Sequence, residues 1–192
     1  MDEQKESRIL EAAKTVFLRY GFKRVTMNDI AEEAGISRPA LYLVFANKEE
    51  VFKAAVSRLA ASNLAQIQSG VASLRGAEER LKYAFEVWAV QPFELMMSSP
   101  NAKDLVDCGQ GFAKEMIERF YREFEELLTT ILKASVSKPG KGGLSARRIA
   151  HLLAVSVHGF KEFARTPAEL RQMIADLVTL TLKGMEPDGL RR

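Results

Sequence analysis

The sequence predicts an all-α protein, and three observations lead to that class. Apolar residues recur every three or four positions through most of the 192 residues, which is the period of helices that bury one face. Serine, threonine or asparagine stands just before several of these stretches, where it can cap a helix. Long windows rich in alanine, leucine, glutamate and lysine favour helix, and no segment has a convincing strand pattern.

The composition indicates a globular protein without disulfides. Hydrophobic residues make up 47% of the chain, which is enough for a sizeable core. The single cysteine, Cys108, cannot form an intrachain disulfide, as is typical of a reducing compartment. The charged N-terminus does not resemble a signal peptide, and no apolar stretch is long enough to span a membrane. We therefore expect a cytoplasmic protein that does not associate with membranes.

The first predicted helix supports the elements that follow it. Its apolar residues share one stripe, and Gly21 ends it. The stripe consists of Ile9, Leu10, Ala13, Val16, Phe17 and Tyr20. We interpret it as a core helix.

Residues 26–50 predict two short helices joined by a glycine turn, followed by the start of a third helix. Thr26 can cap the first helix together with the acidic residue three positions on. Gly35 stands where a left-handed residue can close that helix and turn the chain. Ser37 can cap the second helix, whose first turn tolerates Pro39 because early amides lack intrahelical partners. This is a helix-turn-helix arrangement, in which the second helix offers its N-terminal residues to the DNA major groove.

The outward face of the second short helix holds the candidate DNA-reading residues. Leu41 and Phe45 are four residues apart and share the buried side, which leaves Arg38, Tyr42 and Leu43 facing outward. The Arg38 guanidinium can form the two-pronged contact with a guanine edge that specifies a base. Arg38 is therefore the best candidate for reading sequence.

The run from Ile9 to Phe22, ILEAAKTVFLRYGF, and the later VTMNDIAEEAGISRPALYLVFANKEEVF carry a wider pattern. Together they resemble the DNA-binding domain of the tetracycline-repressor (TetR) family of one-component bacterial regulators, above all in AGIS, ALYLVF and NKEE. The resemblance covers roughly the first third of the chain. It implies a three-helix DNA-binding domain followed by a helical domain for ligand binding and dimerisation.

The resemblance also implies a set of DNA contacts. Family members usually hold phosphates at the positions of Thr26, Ser37, Tyr42 and Lys48. Leu43 departs from the family, which often has a polar or aromatic residue there. The predicted DNA-binding set is Thr26, Ser37, Arg38, Pro39, Ala40, Tyr42, Leu43 and Lys48. Thr26 and Ser37 would also be present as helix caps in a protein that does not bind DNA, and Lys48 could be an ordinary surface lysine.

We predict a DNA-binding domain in residues 1–50, a connector helix over about 48–68, and a ligand-binding and dimerisation domain in 69–192. Within the latter, a helix from Ala77 is expected to be interrupted at Pro92. Gly109 and Gly111 are expected to separate the next short elements from a strong helix that starts at Phe112. A loop is predicted over 136–145, and helices over 146–165 and 167–184.

Methionine and aromatic residues of the middle region can form adaptable apolar walls, although such residues at helical spacing are more often core. The resemblance implies a ligand pocket here. The predicted ligand-binding set is Phe85, Trp88, Phe93, Met96, Met97, Phe112, Met116 and Phe120. The last two helices are apolar on more than one face, which suggests an intermolecular partner, or monomer core for some of these residues. The predicted dimer contacts are Leu152, Val155, Phe160, Leu177, Val178 and Leu182.

The sequence gives little support for an enzyme. The sequence has no glycine-rich phosphate loop, no nucleophile elbow and no metal-ligand cluster, so we expect no cofactor or metal and no enzymatic activity. We expect a homodimeric repressor that binds a double-stranded, palindromic operator and is released by a small apolar or amphipathic effector. The alternative is a helical ligand- or partner-binding protein whose motif no longer reads DNA.

Overall fold

The computed structural model describes residues 3–99, 101–133 and 144–185. These residues form ten α-helices and one five-residue π-helical turn, which confirms the all-α prediction. The helices are α1 (Glu3–Tyr20), α2 (Met27–Glu33), α3 (Arg38–Tyr42), α4 (Lys48–Val71), α5 (Gly76–Phe85), α6 (Gln91–Met97), α7 (Ala102–Gln110), α8 (Lys114–Lys133), α9 (Ala146–Phe163) and α10 (Pro167–Met185). The π-helical turn is Glu86–Val90. The loop predicted over 136–145 lies almost entirely outside the described residues.

The chain divides into two compact units that do not correspond to a single cut in the sequence. The first unit lies within 1–62 and 95–119, and the second within 63–94 and 120–192. The unit that holds the helix-turn-helix therefore includes residues from the middle of the chain. The predicted division at residue 69 remains a prediction about function.

The core of the first unit is aromatic. The rings of Phe17, Phe22, Phe52 and Phe112 pack with centroid separations of 5.1–5.6 Å. Leu105, on α7, is buried in the same core. Residues 95–119 thus complete a core that α1 to α4 begin.

Two side chains from residues 95–119 also satisfy the end of α1. Ser99 Oγ donates to the Leu18 carbonyl at 2.7 Å, and Asn101 Nδ2 donates to the Arg19 carbonyl at 2.9 Å. The last carbonyl groups of a helix have no intrahelical partner, so these bonds cap α1 from outside it.

Asp104 holds the loop that follows α1. Its Oδ2 accepts the backbone N–H of Lys23 at 2.9 Å, and its Oδ1 lies 3.4 Å from Lys23 Nζ. The backbone hydrogen bond from Lys23 is the main cause that keeps the pKa of Asp104 below its ordinary value. Gly21 permits this approach, because it has a φ of +79° and a Cβ there would meet Asp104 Oδ2 at 3.0 Å.

In the second unit, α10 packs against α5, α9 and the π-helical turn. An ion pair reinforces this packing, since the Arg171 guanidinium donates to both carboxylate oxygens of Glu86 at 2.7 and 2.8 Å. The largest fully buried side chains of the second unit are Phe85, Phe124, Ile67, Leu81, Leu128, Leu132, Leu153 and Leu170.

The α-helix is interrupted before Pro92, by the π-helical turn, and the chain continues as the short helix α6 that was expected after the proline. There the Gln91 N–H bonds to the Glu86 carbonyl, five residues back. Proline has no N–H to offer the next carbonyl, that of Val87. The side-chain amide of Asn63 donates to it instead at 3.4 Å.

Two further boundaries differ from the predictions. Gly109 lies inside α7 and does not separate it from the next helix, and α8 begins at Lys114.

None of the helices in the described residues combines the length and the apolar character that crossing a bilayer requires.

Gly21→Ala and Gly76→Ala test the approach of Asp104 to the loop. Both glycines have a positive φ, but a Cβ at Gly76 would meet nothing within 4 Å. Gly76→Ala should lower the free energy of unfolding by about 1 kcal/mol through backbone strain alone. Gly21→Ala should lower it by about 2–3 kcal/mol, because Asp104 and Asn101, which the Cβ would meet at 3.0 and 3.1 Å, must also move. Urea denaturation of both variants measures the difference, and equal losses would contradict the role given to Asp104.

Candidate nucleic-acid interface

The start of α2 is fixed by a reciprocal pair of hydrogen bonds. The backbone N–H of Asp29 donates to Thr26 Oγ1 at 3.3 Å, and the backbone N–H of Thr26 donates to Asp29 Oδ2 at 2.7 Å. This capping box confirms the predicted cap. The Thr26 hydroxyl accepts this bond and itself donates to Asp29 Oδ2 at 2.9 Å, so its predicted phosphate contact would replace a bond within the cap.

The turn between α2 and α3 is a Schellman motif. Gly35 has a φ of +64° and donates its N–H to the Glu32 carbonyl at 3.0 Å, while Ile36 donates to the Ala31 carbonyl at 3.0 Å. The Arg8 guanidinium donates to the Ala34 carbonyl at 2.7 Å and so closes the end of α2 from α1.

Arg8 is a positioning residue that the sequence analysis missed. Nothing in the sequence distinguishes Arg8 from other charged residues on the exposed side of a helix, because its carbonyl partner is 26 residues away.

The α3 helix divides as predicted into a buried and an exposed side. Ser37 Oγ accepts the Ala40 N–H at 3.3 Å, which confirms the cap. Leu41 is fully buried, whereas Tyr42 is 42% exposed and Leu43 is 85% exposed. Ser37, Arg38 and Pro39 are also exposed, and Ala40 is half-buried. The N-terminal face of α3 is therefore open for contact.

Arg38 lies along this open face against Tyr42. Its Cζ is 5.5 Å from the Tyr42 ring centroid, and its Nη2 is 3.5 Å from the Tyr42 hydroxyl. The guanidinium keeps most of its donors free, because a 3.5 Å contact is long for a hydrogen bond. The tyrosine ring thus supports the arginine without using the donors that a base edge would need.

The structure gives Lys48 a role that the sequence did not reveal. Its ammonium donates to the backbone carbonyls of Phe22 at 2.8 Å, Lys23 at 3.3 Å and Val25 at 2.9 Å. It also lies 4.5 Å from the Phe22 ring centroid. An ammonium has three donors, and here each faces a carbonyl of the loop before α2. The reading of Lys48 as an ordinary surface lysine is wrong, and its phosphate contact stays a prediction.

The predicted ligand-binding residues do not fall in one compact unit. Met96, Met97, Phe112 and Met116 belong to the first unit, where Phe112 packs in the aromatic core and Met97 is 54% exposed. Phe85, Trp88, Phe93 and Phe120 belong to the second. In that unit Trp88 stacks on Phe124, with centroids 4.7 Å apart and planes at 9°.

The predicted dimer contacts are divided between surface and core. Leu152 and Val155 are 53% and 55% exposed, whereas Val178 is fully buried in its own unit and cannot contact a partner. Phe160, Leu177 and Leu182 are half-buried. Phe163 and Leu180, which the sequence analysis did not name, are further exposed apolar residues of α9 and α10, at 78% and 69% exposed.

The cysteine thiol is shielded, and each of the two histidines has its Nδ1 engaged. Burial is the main cause that raises the pKa of the Cys108 thiol, so little thiolate forms. His151 Nδ1 lies 2.9 Å from a Glu125 oxygen, and His158 Nδ1 lies 2.9 Å from the Tyr121 hydroxyl. Within the described ranges, no three residues among the His, Cys, Asp and Glu side chains form a group able to hold a metal ion.

Comparison with known proteins supports the motif. Residues 9–55 match the profile of a family described as bacterial regulatory proteins, tetR family. A Bacillus subtilis (strain 168) protein described as the uncharacterized HTH-type transcriptional regulator YfiR is 51% identical over 51 residues, 27% of this chain and 25% of that protein. The match therefore spans only about a quarter of the relative's length.

Solved structures extend the likeness to the whole fold. A transcriptional regulator from Cytophaga hutchinsonii ATCC 33406 superposes with a TM-score of 0.74 at 22% identity, over 96% of this chain and 100% of that one. Thermus thermophilus FadR, a TetR family repressor in complex with lauroyl-CoA, gives a TM-score of 0.63 at 22% identity, over 97% and 98%. At these identities the superpositions establish the fold.

Lys48→Met tests the structural role of the lysine. Removing the ammonium leaves three carbonyls without their donor, so the free energy of unfolding should fall by about 1–3 kcal/mol. Lys14→Met is the matched control, because Lys14 makes only a surface ion pair with Glu11 at 3.6 Å. Denaturant unfolding in the absence of DNA measures both. Equal stability of the two variants would return Lys48 to the class of ordinary surface residues.

Proposed function

We propose that this chain, which belongs to the TetR family of transcriptional regulators, binds a palindromic operator as a homodimer and is released by a small apolar or amphipathic effector. The observation that carries the proposal is the open N-terminal face of α3, held in place by the Ser37 cap and the buried Leu41. A capped helix of this kind can enter the major groove without refolding. Operator and effector both act in the cytoplasm in this proposal.

The exposed residues divide into base-reading and phosphate-binding roles. Arg38 is the base-reading residue, because its fork remains free and the Tyr42 ring supports it. Leu43, 85% exposed at the end of the same helix, suits an apolar contact with a thymine methyl. Ser37, Thr26 and Tyr42 would then hold phosphates.

Dimerisation is supported by an apolar stripe on α9 and α10. Leu152, Val155 and Phe163 are exposed on α9 at spacings of three and eight residues, and Leu180 is exposed on α10. Gly159 and Gly184 lie on the same two helices, and a Cβ at either would meet nothing within 4 Å. Such a surface lets a second copy approach closely, and a symmetric dimer would place two copies of α3 on two half-sites.

The effector is proposed by analogy and by the apolar character of the second unit. Thermus thermophilus FadR, which shares the fold, is a repressor solved with lauroyl-CoA. Release of DNA requires that the effector bind the DNA-incompetent state more tightly. A hundredfold preference, about 2.7 kcal/mol, lies within the usual range of coupling free energies.

Selection of DNA ligands from a random pool by the purified protein tests the proposal. We expect enrichment of a palindrome with half-sites separated by about one helical turn or a multiple of it. Gel shifts with the selected duplex and a scrambled duplex then give the specificity. Binding that does not distinguish the two duplexes would favour the alternative, a ligand- or partner-binding protein whose motif no longer reads DNA.

Arg38→Ala should relax sequence preference at one base pair of each half-site, with a loss of about 1–3 kcal/mol of discrimination. Arg24→Ala is the matched control, because Arg24 is exposed in the loop before α2 and is not part of α3. It should weaken all DNA alike and reduce the slope of log affinity against log salt by about one. Gel shifts on single-base operator variants measure both. If the two variants lost specificity equally, the division of roles would be wrong.

Leu180→Glu should convert the dimer to a monomer, because two copies of the charge would be buried in the interface. Operator affinity should fall by at least about a hundredfold, since one half-site gives few contacts. Val106→Glu is the control, because Val106 is 45% exposed on α7, outside the stripe. Sedimentation velocity gives the oligomeric state. A dimeric Leu180→Glu protein would exclude the proposed interface.

A further inference from the structure

Three polar side chains of the second unit form a connected group that the proposed function does not yet use. The Tyr121 hydroxyl, on α8, lies 2.9 Å from His158 Nδ1 and 3.5 Å from Lys161 Nζ, both on α9. His158 and Lys161 are three residues apart and therefore share one helix face. We name Tyr121, His158 and Lys161 the polar triad.

The hydrogen-bond chemistry of the polar triad leaves it with donors. A lysine ammonium can only donate, so the Tyr121 oxygen is the acceptor toward Lys161. The tyrosine O–H can then donate to His158 Nδ1, and in that arrangement the imidazole carries its proton on Nε2. What remains for a ligand is the Nε2–H of His158 and the ammonium of Lys161. Both are donors, and an anion is the natural partner of such a pair.

The charge of the polar triad is not neutralised within the described part of the chain. No carboxylate there pairs with the Lys161 ammonium, whose one contact is the long one with Tyr121. Glu125, one turn beyond Tyr121 on α8, is already engaged by His151 at 2.9 Å. Burial and then the charge of Lys161 lower the pKa of His158, while Glu162 opposes them. These effects favour the neutral form of His158, so the ammonium of Lys161 is the charged group of the triad.

A row of aromatic rings leads from the polar triad into the core. The Tyr121 ring meets His158 edge-on at 5.5 Å and Trp88 edge-on at 5.8 Å, and Trp88 stacks on Phe124. Exposure falls along this row from His158 at the surface to the fully buried Phe124. Trp88 itself lies in the π-helical turn, an irregularity that is frequent at functional sites. The row offers an apolar surface directly beside the donors.

We propose that the polar triad and Trp88 form a binding site for an amphipathic small molecule, with its carboxylate or phosphate group on Lys161 and His158 and its apolar part against Trp88. The inference rests on the proposed function, in that this molecule is the effector. It narrows the effector from any apolar compound to one that bears an anionic group. It also gives the half-buried Lys161 a partner.

The chain carries its own reporter, because Trp88 is its single tryptophan. Titration of the full-length protein with decanoate should therefore change the tryptophan emission to saturation. Decan-1-ol, which has the same tail and no charge, should bind at least about tenfold more weakly. Decyl phosphate distinguishes a preference for phosphate from one for carboxylate, and inorganic phosphate tests the head group without a tail.

The variants separate charge from packing. Lys161→Met should weaken decanoate binding about tenfold, because the ammonium is lost. It should leave the affinity for decan-1-ol unchanged, because methionine keeps the apolar part of the side chain. Lys161→Arg should restore affinity to within about threefold, since it restores the charge. Tyr121→Phe keeps the ring beside Trp88 and should weaken decanoate about threefold, because the tautomer of His158 is no longer fixed. Lys183→Met, an exposed lysine on α10, is the control and should change nothing.

The proposal is overturned if decanoate and decan-1-ol bind with equal affinity and Lys161→Met changes neither affinity. It is equally overturned if inorganic phosphate alone binds as tightly as decanoate. A gel shift with the selected operator is scored separately. Lys161-dependent binding of decanoate that leaves the DNA complex intact would establish the anion site and refute only its role as effector site. If decan-1-ol but not decanoate released DNA, and did so without Lys161, the proposed function as a regulator would stand and the anion site would be refuted.

Discussion

The helix-turn-helix of this protein depends on an apolar core that its own stretch of sequence does not complete. A chain of about 60 residues buries only about 60% of the surface it exposes when unfolded, so a head formed by residues 3–62 alone would be marginal. Phe22 and Phe52 solve this by packing on Phe112, which arrives from the middle of the chain. Leu105 and Ala113 are buried in the same core. Leu41 of α3 is buried there too, so the same packing positions the open face of α3.

Between that core and the open face of α3, the loop before α2 is the critical connection. The Lys48 ammonium bonds to three carbonyls of this loop and lies beside the Phe22 ring, and Asp104 accepts the N–H of Lys23. The loop is thus fixed by two oppositely charged side chains that are far apart in sequence. Thr26 follows directly, so the capping box of α2 starts from a defined point. The turn at Gly35 then sets the direction of α3.

The local features of the fold could be predicted from the sequence because each depends on neighbouring residues. The caps at Thr26 and Ser37 and the left-handed Gly35 were all found where they were expected. A capping residue and its partner are three positions apart, and a sequence shows that spacing directly. The exposed positions on α3 followed from the same helical periodicity.

Long-range packing could not be predicted, because an apolar residue does not reveal which core it joins. Phe112 and Met116 were assigned to a ligand pocket, yet both pack on the core of the first unit. Val178 was assigned to a dimer interface and is buried within its own unit. Lys48 illustrates the same limit for a polar residue, since its carbonyl partners lie 23 to 26 positions away. Pairings of that kind depend on tertiary structure.

The packing of Phe112 on Phe22 and Phe52 bears on how such heads can be exchanged between proteins. A hybrid that joined residues 3–62 to the C-terminal part of another protein would expose the faces of Phe22 and Phe52 that pack on Phe112. It would also leave the last carbonyls of α1 without the donors of Ser99 and Asn101. The transplantable piece is discontinuous and includes residues 95–119. Recombination at a single point in the gene would therefore produce aggregation-prone chimeras, unless the recipient supplied an aromatic residue that packs as Phe112 does. The head and this middle segment must be inherited together.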